Sequence, residues 1–204
     1  MASVYDLKPR FQAVLRPAVG GLARAGVTAN QVTVAAAAMS IIAAIALALL
    51  AGSRASLVLM PLVLFLRMAL NAIDGMLARE HGQKSRLGAI LNETGDVVSD
   101  AALYLALVPA LAPFGAGALP IVGFVLGAVL TEFVGVLGPS VGSPRAYDGP
   151  MGKSDRAAAI GLLTAALAAG LPGGMWIDLV FAVLLALTLW TSVRRAQTLL
   201  GGAP

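Results

Sequence analysis

The sequence predicts an all-α, polytopic membrane protein with six transmembrane helices and an N-terminal basic amphipathic helix. The chain has 204 residues, of which 59% are hydrophobic and only 12% are charged, whereas a soluble domain has roughly 25% charged residues. Apolar runs of about twenty residues recur, which is the length that a helix needs to cross about 30 Å of hydrocarbon. These runs follow one another too closely to leave room for a soluble module, so we expect a single transmembrane domain over residues 1–204.

The composition excludes several kinds of functional site. The chain has no Cys, so neither a disulfide framework nor a thiolate metal site exists. The single histidine, His81, excludes a metal site built from several histidines. The net charge of +4 and the pI near 10 would suit nucleic acid. However, the basic residues lie beside apolar segments, where they indicate membrane topology and contacts with anionic lipid, so we expect no nucleic-acid partner.

Residues 1–30 are predicted to form a segment that lies on the membrane surface. The basic residues of this segment are Lys8, Arg10, Arg16 and Arg24. Apolar side chains such as Phe11 and Leu15 stand between them, which is typical of a basic amphipathic helix at a lipid surface. A solvated tail is the alternative. Asn30 is placed to cap the helix that follows.

Six apolar segments are predicted to cross the membrane. They cover residues 31–50, 57–78, 87–111, 121–137, 156–171 and 176–193. Turns at 51–56, 113–120 and 172–174 alternate with polar loops at 79–86 and 138–155. Six crossings would place both termini on the same side of the membrane.

The distribution of Lys and Arg predicts which side that is. Twelve basic residues fall on the side of the termini, namely Lys8, Arg10, Arg16, Arg24, Arg79, Lys84, Arg86, Arg145, Lys153, Arg156, Arg194 and Arg195. The opposite side carries only Arg54, and Arg67 falls within a helix. Because cytoplasmic loops carry the excess of positive charge, we expect a cell (inner) membrane protein whose termini and polar loops are cytoplasmic.

A stripe of small residues follows the fourth predicted membrane helix. Gly123, Gly127, Thr131 and Gly135 recur every four residues and so share one helix face. Small residues allow another helix to approach closely. The stripe therefore predicts either packing against another helix of the same chain or contact with a second copy in a homodimer.

Polar and charged residues crowd into residues 71–100, between segments that are almost purely apolar. Asn71 and Asp74 share a face of the second predicted membrane helix. Asn92, Asp96 and Asp100 recur every four residues on the third. An antiparallel hairpin would bring Asn71 and Asp74 opposite Asn92 and Asp96 near the cytoplasmic surface. Charge inside a membrane is costly, so such a cluster favours a functional explanation.

A ring of oxygen atoms of this kind suits a hard cation such as Mg²⁺, Mn²⁺ or Ca²⁺. Such ions bridge to phosphate, and Arg79 would suit a substrate that carries phosphate. Gly75 and Gly88 would let a bulky ligand approach the helix backbone. The alternative is an ion-pair network that only holds two helices together.

These residues resemble a family signature. The signature is D-x2-D-G-x2-A-R-x8-G-x3-D-x3-D, and this chain has N-x2-D-G-x2-A-R-x8-G-x3-N-x3-D from Asn71 to Asp96. The chain thus resembles the CDP-alcohol phosphotransferase (phosphatidyltransferase) family as a divergent member. The segment GVTANQVT at 26–33 and the run GKSDR at 152–156 are similar to family elements in those places.

The resemblance implies a role for each matching residue. Asp74 would bind a divalent metal ion, Mg²⁺ or Mn²⁺, and Asp96 would be both a metal ligand and the general base. Asp74, Gly75, Ala78, Arg79 and Gly88 would form the CDP and diphosphate pocket.

Two family aspartates are replaced by asparagine in this chain. Asn71 and Asn92 stand at the first and third aspartate positions, where they can offer a carbonyl oxygen but no charge. Asp100 is the residue best placed to compensate as a further metal ligand. The paired replacement fits either altered metal use or loss of transfer activity.

The implied reaction belongs to phospholipid biosynthesis. An acceptor alcohol would attack the lipid-linked phosphorus of CDP-diacylglycerol and release CMP. Arg145, Lys153 and Arg156 are candidates for binding a phosphorylated acceptor, or else they only set the topology. The alternative function is a catalytically silent, CDP-lipid-binding membrane protein. A transporter is disfavoured, because the polar residues crowd near one side of the membrane instead of spreading through its depth.

Overall fold

A computed structural model describes residues 4–201 of the chain, with side chains from Arg10 onward. Within this range all regular structure is helical, as predicted. The α-helices are α1 (Val4–Arg24), α2 (Ala29–Leu49), α3 (Leu59–Glu80), α4 (Arg86–Leu105), α5 (Leu107–Leu111), α6 (Ala118–Val136), α7 (Lys153–Ala168) and α8 (Trp176–Gly201). Single turns of 3-10 helix cover Ala55–Val58, Ala112–Phe114 and Gly138–Val141.

Within the described part of the chain, five helical stretches are long and apolar enough to cross a membrane. They are Ala29–Leu49, Ala55–Glu80, Arg86–Phe114, Ala118–Val136 and Trp176–Gly201. The remaining predicted crossing corresponds to α7, which has 16 residues and is about 24 Å long at 1.5 Å per residue. A membrane-crossing helix needs about 20 residues. Five crossings are therefore supported, and the sixth stays a prediction.

Two proline residues explain two of the differences between the observed and the predicted helix boundaries. The third membrane segment was expected to be one helix over 87–111, but α4 ends at Leu105 and the short α5 follows. Pro109 has no N–H to donate to the carbonyl of Leu105, and its ring clashes there. Pro120 lies inside α6 instead of before it. It occupies the first turn, where a backbone N–H would have no helical partner.

The N-terminal cap of α2 is Thr28 and not, as predicted, Asn30. The Gln31 N–H donates to Thr28 Oγ1 at 3.2 Å, and the Thr28 N–H donates to Gln31 Oε1 at 2.9 Å. This reciprocal pair is a capping box, which satisfies two N–H groups at the start of a helix. Asn30 is consequently available to point elsewhere.

Contacts along the chain define two compact units, and the prediction of a single domain stays a prediction. The first unit comprises Met1–Ser40 and Val63–Ser99. The second comprises Ile41–Leu62 and Asp100–Pro204.

In the first unit, α1 packs against α3. Val19 is fully buried in an apolar cluster with Met76 and Leu77. The rings of Phe11 and Phe65 meet edge to face at 6.2 Å. These contacts exclude a solvated tail for the described part of α1, whereas its position on a membrane surface stays a prediction.

In the second unit, the small-residue stripe of α6 packs against α8. A methyl group added at Gly127 would collide with Thr188, and one added at Gly123 would lie 3.1 Å from a methyl of Leu185. The Thr131 hydroxyl donates to the carbonyl of Thr188 at 3.1 Å. Packing within the chain is therefore confirmed as a use of this stripe, and the homodimer stays a prediction.

Candidate functional site

The side-chain amides of Asn71 and Asn92 form hydrogen bonds between the facing sides of α3 and α4. Asn71 Nδ2 donates to Asp96 Oδ1 at 3.1 Å. Asn92 Nδ2 lies 3.5 Å from Asp74 Oδ2, in a longer bond. The predicted opposition of Asn71 and Asp74 to Asn92 and Asp96 is thus confirmed. On each helix the asparagine side chain forms a hydrogen bond with the aspartate of the facing helix.

Thr33 of α2 completes the surroundings of Asp74, and the prediction had not included it. Thr33 Oγ1 lies 2.8 Å from Asp74 Oδ2, and it also lies 3.1 Å from the carbonyl of Ala29. Asp74 is only 3% exposed, so a bonded hydroxyl is what a buried carboxylate requires. Thr33 ends the segment GVTANQVT, and this was the signal in the sequence that pointed to it.

Asp96 is held by a buried arginine. Arg67 Nη2 donates to Asp96 Oδ1 at 3.3 Å and to the Asp96 backbone carbonyl at 3.0 Å. The side chain of Arg67 is 4% exposed and that of Asp96 is 19% exposed. The partly accessible carboxylate of Asp96 is therefore held in place by the buried guanidinium of Arg67.

A cavity of about 760 Å³ opens beside these residues. This volume lies within the usual range of small-ligand pockets, roughly 300–1,000 Å³. Its charged lining residues are Asp74, Glu93, Arg79, Lys84 and Arg86. Three cations minus two anions leave a formal charge of +1 on the wall. A cavity with this balance suits an anionic ligand such as a diphosphate.

The loop between α3 and α4 forms one rim of the cavity, and Gln83 fastens it to α2. Gln83 Oε1 accepts a hydrogen bond from the Ala29 N–H at 2.6 Å, which satisfies a backbone donor at the start of α2. Gly82 has φ +68°, a left-handed conformation that favours glycine and turns the chain after α3. Lys84 of this anchored loop and Arg86 at the start of α4 both line the cavity.

Two glycines of the signature make room for polar side chains. A methyl group at Gly75 would lie 3.0 Å from Nη1 of Arg79, so the absence of a side chain lets this arginine fold back along α3. A methyl group at Gly88 would lie 2.8 Å from Asn30 Oδ1 and 3.0 Å from Ser85 Oγ. Ser85 Oγ accepts the Gly88 N–H at 2.9 Å, which caps α4. Both glycines thus shape the cavity wall.

The chemistry of the donor set fits a hard cation. Two carboxylates, Asp74 and Asp96, and two amide groups, Asn71 and Asn92, meet between the two helices. Mg²⁺ is bound in proteins by one or two carboxylates together with phosphate oxygens and water. Among the residues that the structure describes, no group of three or more His, Cys, Asp or Glu side chains converges as a metal site. Completion of a coordination shell would therefore need oxygens from a ligand.

The three predicted acceptor-binding residues belong to the second unit, and two of them, Arg145 and Arg156, contact Glu132. Arg145 Nη2 lies 2.8 Å from Glu132 Oε2, and Arg156 Nη2 lies 2.9 Å from Glu132 Oε1. Burial lowers the pKa of Arg145, while Tyr147 raises it and Arg195 lowers it further. Lys153 begins α7.

Arg156 also binds Asp100. Its Nη2 lies 3.0 Å from Asp100 Oδ2, and the Arg156 side chain is fully buried. The metal-ligand role of Asp100 and the acceptor-binding roles of Arg145, Lys153 and Arg156 remain predictions. In the structure Asp100 and Arg156 form a buried ion pair, and a buried charge needs such a partner.

Most residues predicted for the pocket do line the cavity. They are Asn71, Asp74, Gly75, Ala78, Arg79, Gly88 and Asn92. Asp96 lies behind this wall, bonded to Asn71. Asn30, Thr33, Gln83, Lys84 and Arg86 also line it, although none was predicted as a site residue. Gln83, Lys84 and Arg86 lie within the variable positions of the signature, and Asn30 and Thr33 lie in the segment GVTANQVT.

Solved structures show the same fold. The phosphatidylinositol phosphate synthase (PgsA1) of Mycobacterium tuberculosis in complex with manganese and citrate superposes with a TM-score of 0.76 at 21% identity, over 92% of this chain and 89% of that one. The same enzyme with CDP-DAG bound gives a TM-score of 0.75 at 21% identity, over 90% of this chain and 92% of that one.

The sequence is also similar to two characterised or named proteins and to a family model. The inner membrane protein YnbA of Escherichia coli (strain K12) is 45% identical over 198 residues, which are 97% of this chain and 96% of YnbA. The phosphatidylinositol phosphate synthase of Mycobacteroides abscessus is 32% identical over 124 residues, 61% of this chain and 54% of that enzyme. The family model for CDP-alcohol phosphatidyltransferase matches residues 26–193. The chain therefore belongs to the CDP-alcohol phosphatidyltransferase family.

Proposed function

We propose that this protein transfers a phosphatidyl group from CDP-diacylglycerol to an alcohol and releases CMP, as a step of phospholipid biosynthesis. The observation that carries the proposal is the pair Asp74 and Asp96 on facing helices, beside a cavity whose wall is cationic. A solved enzyme of the same fold holds CDP-DAG. The relative YnbA is named as an inner membrane protein, and we propose the same membrane here, with the site facing the cytoplasm.

The cavity wall would bind the nucleotide end of the lipid. Arg79, Lys84 and Arg86 would neutralise the diphosphate, and Arg79 is able to reach it because Gly75 leaves space along α3. Asn30 offers a polar edge beside Gly88. The rim loop, anchored by Gln83, would keep the two cationic side chains of Lys84 and Arg86 in place before the substrate arrives.

Asp96 would take the proton of the acceptor hydroxyl. The hydroxyl oxygen forms a bond to the lipid-linked phosphorus, the bond from that phosphorus to the CMP oxygen breaks, and the proton moves to the Asp96 carboxylate. Arg67 and Asn71 would orient this carboxylate through their bonds to Oδ1. A divalent cation bound by Asp74, Asp96 and amide oxygens would offset the charge that develops on the diphosphate.

The acceptor would be an alcohol, and Arg145 and Arg156 are the candidates for binding a phosphate group on it. Arg145 and Arg156 already have an internal counter-ion in Glu132. A phosphorylated alcohol would have to compete with that carboxylate, whereas an alcohol without phosphate would not. The acceptor panel below therefore pairs each alcohol with its phosphorylated form.

A catalytically silent CDP-lipid-binding protein is the second candidate, and one observation favours it. Asn71 and Asn92 satisfy the two aspartates by hydrogen bonds, so the polar cluster is stable as a structural element. Such a protein would bind the nucleotide lipid in the same cavity without transferring it.

One assay separates the two candidates. Purified protein in detergent is given labelled CDP-diacylglycerol, Mg²⁺ or Mn²⁺ and the panel of alcohols, and the release of CMP is measured. We expect release that is abolished in Asp96→Ala. If no alcohol and no metal ion gives CMP above the Asp96→Ala background, transfer is excluded. Retained binding of labelled CDP-diacylglycerol would then support the silent binder.

A further inference from the structure

We infer that the Glu132 carboxylate excludes phosphate from Arg145 and Arg156, and that the acceptor of this protein is consequently an alcohol without a phosphate group. The statement about the acceptor rests on the proposed function, because it names the class of the second substrate. The statement about phosphate concerns the second unit alone and can be tested without turnover.

Three arginines surround the Glu132 carboxylate. Arg156 Nη2 lies 2.9 Å from Oε1, Arg145 Nη2 lies 2.8 Å from Oε2, and Arg195 Nη1 lies 3.6 Å from Oε2. Guanidinium groups bind the oxygens of carboxylates and of phosphates in the same way. Glu132 therefore lies where the oxygens of a phosphate would lie if these arginines bound one.

Burial makes this internal anion hard to displace. The side chain of Arg156 is 0% exposed, that of Arg195 is 3% exposed and that of Glu132 is 8% exposed, whereas that of Arg145 is 21% exposed. A phosphate that came from water would have to lose its hydration and separate a buried carboxylate from its arginines. Such a separation leaves an uncompensated buried charge, which is strongly unfavourable.

The two most deeply buried arginines are also held by backbone carbonyls. Arg195 Nε donates to the carbonyl of Asp148 at 3.3 Å, and Arg156 Nη1 donates to the carbonyl of Met151 at 3.2 Å. Neither guanidinium can turn toward a ligand without losing such a bond. Both are therefore fixed in the orientation that serves Glu132.

Removal of the carboxylate should create a phosphate site. In Glu132→Ala the arginines lose the anion that they share, and the space of the missing carboxylate lies between them. Inorganic phosphate has the charge and the oxygen atoms to take its place. A ligand that binds the folded state and not the unfolded state stabilises the protein. Phosphate should therefore restore stability that this variant has lost.

The first test measures this rescue. Full-length protein in detergent is heated in millimolar sodium phosphate or in sodium chloride of equal ionic strength, and the midpoint of thermal aggregation is recorded. Glu132→Ala should have a lower midpoint than the natural protein in chloride and should regain about half of the loss or more in phosphate, with saturation. Glu132→Ala/Arg145→Gln should show a weaker rescue, because one of the arginines is missing.

Two controls isolate the effect. Glu80→Ala removes a carboxylate from an exposed ion pair and should respond to phosphate as the natural protein does. The natural protein and Arg145→Gln should also respond alike, because general salt effects and any phosphate held elsewhere on the protein are common to both. Should Glu132→Ala fold only in phosphate, the rescue is the same result. Glu132→Gln takes its place if neither buffer yields folded protein.

Two outcomes of this test would overturn the inference. One is a phosphate response of the natural protein that Arg145→Gln reduces, because phosphate would then bind the arginines although Glu132 is present. The other is a response of the Glu132 variants no greater than that of the natural protein, because the vacated position would then not be an anion site.

The second test measures CMP release by the natural protein with each alcohol of the panel and with its phosphorylated form. The alcohol without phosphate should have the higher kcat/KM by roughly tenfold or more, as expected when a charged group lacks its hydrogen-bond partners. In Glu132→Ala this preference should become smaller. A preference of the natural protein for the phosphorylated form would overturn the inference and leave the proposed transfer standing. No release of CMP from any alcohol would exclude the transfer, and the phosphate rescue would still decide whether Glu132 occupies an anion site.

Discussion

The Thr33 hydroxyl, 2.8 Å from Asp74 Oδ2, connects α2 to the signature on α3. A carboxylate that is 3% exposed depends on such donors, because water cannot replace them. Gly75 contributes differently: because it has no side chain, the Arg79 guanidinium has room to lie along α3. The contribution of each residue can be tested by adding or removing one small group.

Thr33→Val should lower the transfer activity by roughly tenfold, because a hydrogen bond to a charged group contributes about 1.5–3 kcal/mol and 1.4 kcal/mol corresponds to a factor of ten. Thr33→Ser keeps the hydroxyl and should retain most of the activity. The measurement is the initial rate of CMP release at saturating CDP-diacylglycerol. Equal rates in the Val and Ser variants would show that the hydroxyl does not serve Asp74.

Gly75→Ala should raise the KM for CDP-diacylglycerol by about fivefold, because loss of one hydrogen-bonding contact costs about 1 kcal/mol. The new methyl group would lie 3.0 Å from Nη1 of Arg79, so the guanidinium would have to move away. Stability should not fall, because alanine favours a helix over glycine by about 1 kcal/mol. The control is Gly21→Ala in α1, where the added methyl group meets open space. If both variants show the same KM, Arg79 does not bind the substrate.

Helices α6, α7 and α8 are joined by a buried ionic cluster. Glu132 of α6 lies 2.9 Å from Arg156 of α7 and 3.6 Å from Arg195 of α8. Arg195 also donates to the carbonyl of Thr131 at 2.6 Å. A buried ion pair adds little net stability compared with apolar packing, but removal of one partner leaves an uncompensated charge. We therefore expect the cluster to determine how these three helices are positioned, while it adds little to the free energy of unfolding.

Glu132→Gln should destabilise the protein by about 3 kcal/mol, because it leaves buried arginines short of a counter-ion. The measurement is the midpoint of thermal aggregation in detergent. Glu80→Gln is the control, since Glu80 forms an exposed pair with Arg16 at 3.1 Å, and such a pair contributes at most about 1 kcal/mol. A Glu132→Gln midpoint equal to that of the control would show that Arg145 and Arg156 do not depend on this carboxylate.

Among residues 4–201, five helices are long and apolar enough to cross a membrane. The apolar segments predict six crossings, and the distribution of positive charges predicts that both termini lie in the cytoplasm. The two descriptions differ only at α7, whose 16 residues would cross a bilayer only if the neighbouring loops entered the interface. The topology of the whole molecule is thus decided by one helix.

Single cysteines can report this topology, because the natural chain has none. In intact cells, a membrane-impermeant maleimide should label Ser53→Cys and Met175→Cys but not His81→Cys or Ser140→Cys. All four sites are exposed on the protein. Labelling after lysis is the control for accessibility. If Ser140→Cys and Met175→Cys are labelled alike in intact cells, α7 does not cross the membrane.

The amino-acid sequence by itself determined the helical class, the spacing of the signature and the opposition of Asn71 and Asp74 to Asn92 and Asp96. These follow from the period of the α-helix and from a short connection, because residues four apart share a face and a hairpin makes neighbouring faces meet. The helix ends were less accurate, because they depend on local details such as Pro109 and Pro120.

Only the tertiary structure decided which distant groups meet the signature. Thr33 meets Asp74, and Gln83 meets the start of α2, because segments far apart in the chain pack together. The helical period already placed Arg67 on the same face as Asn71 and Asp74, and the packing decided that its partner is Asp96. Helical periodicity tells which residues share a face, but it does not tell which neighbour that face will meet. The same holds for Arg156, whose position in the sequence suits a loop cation and whose side chain is fully buried between two carboxylates.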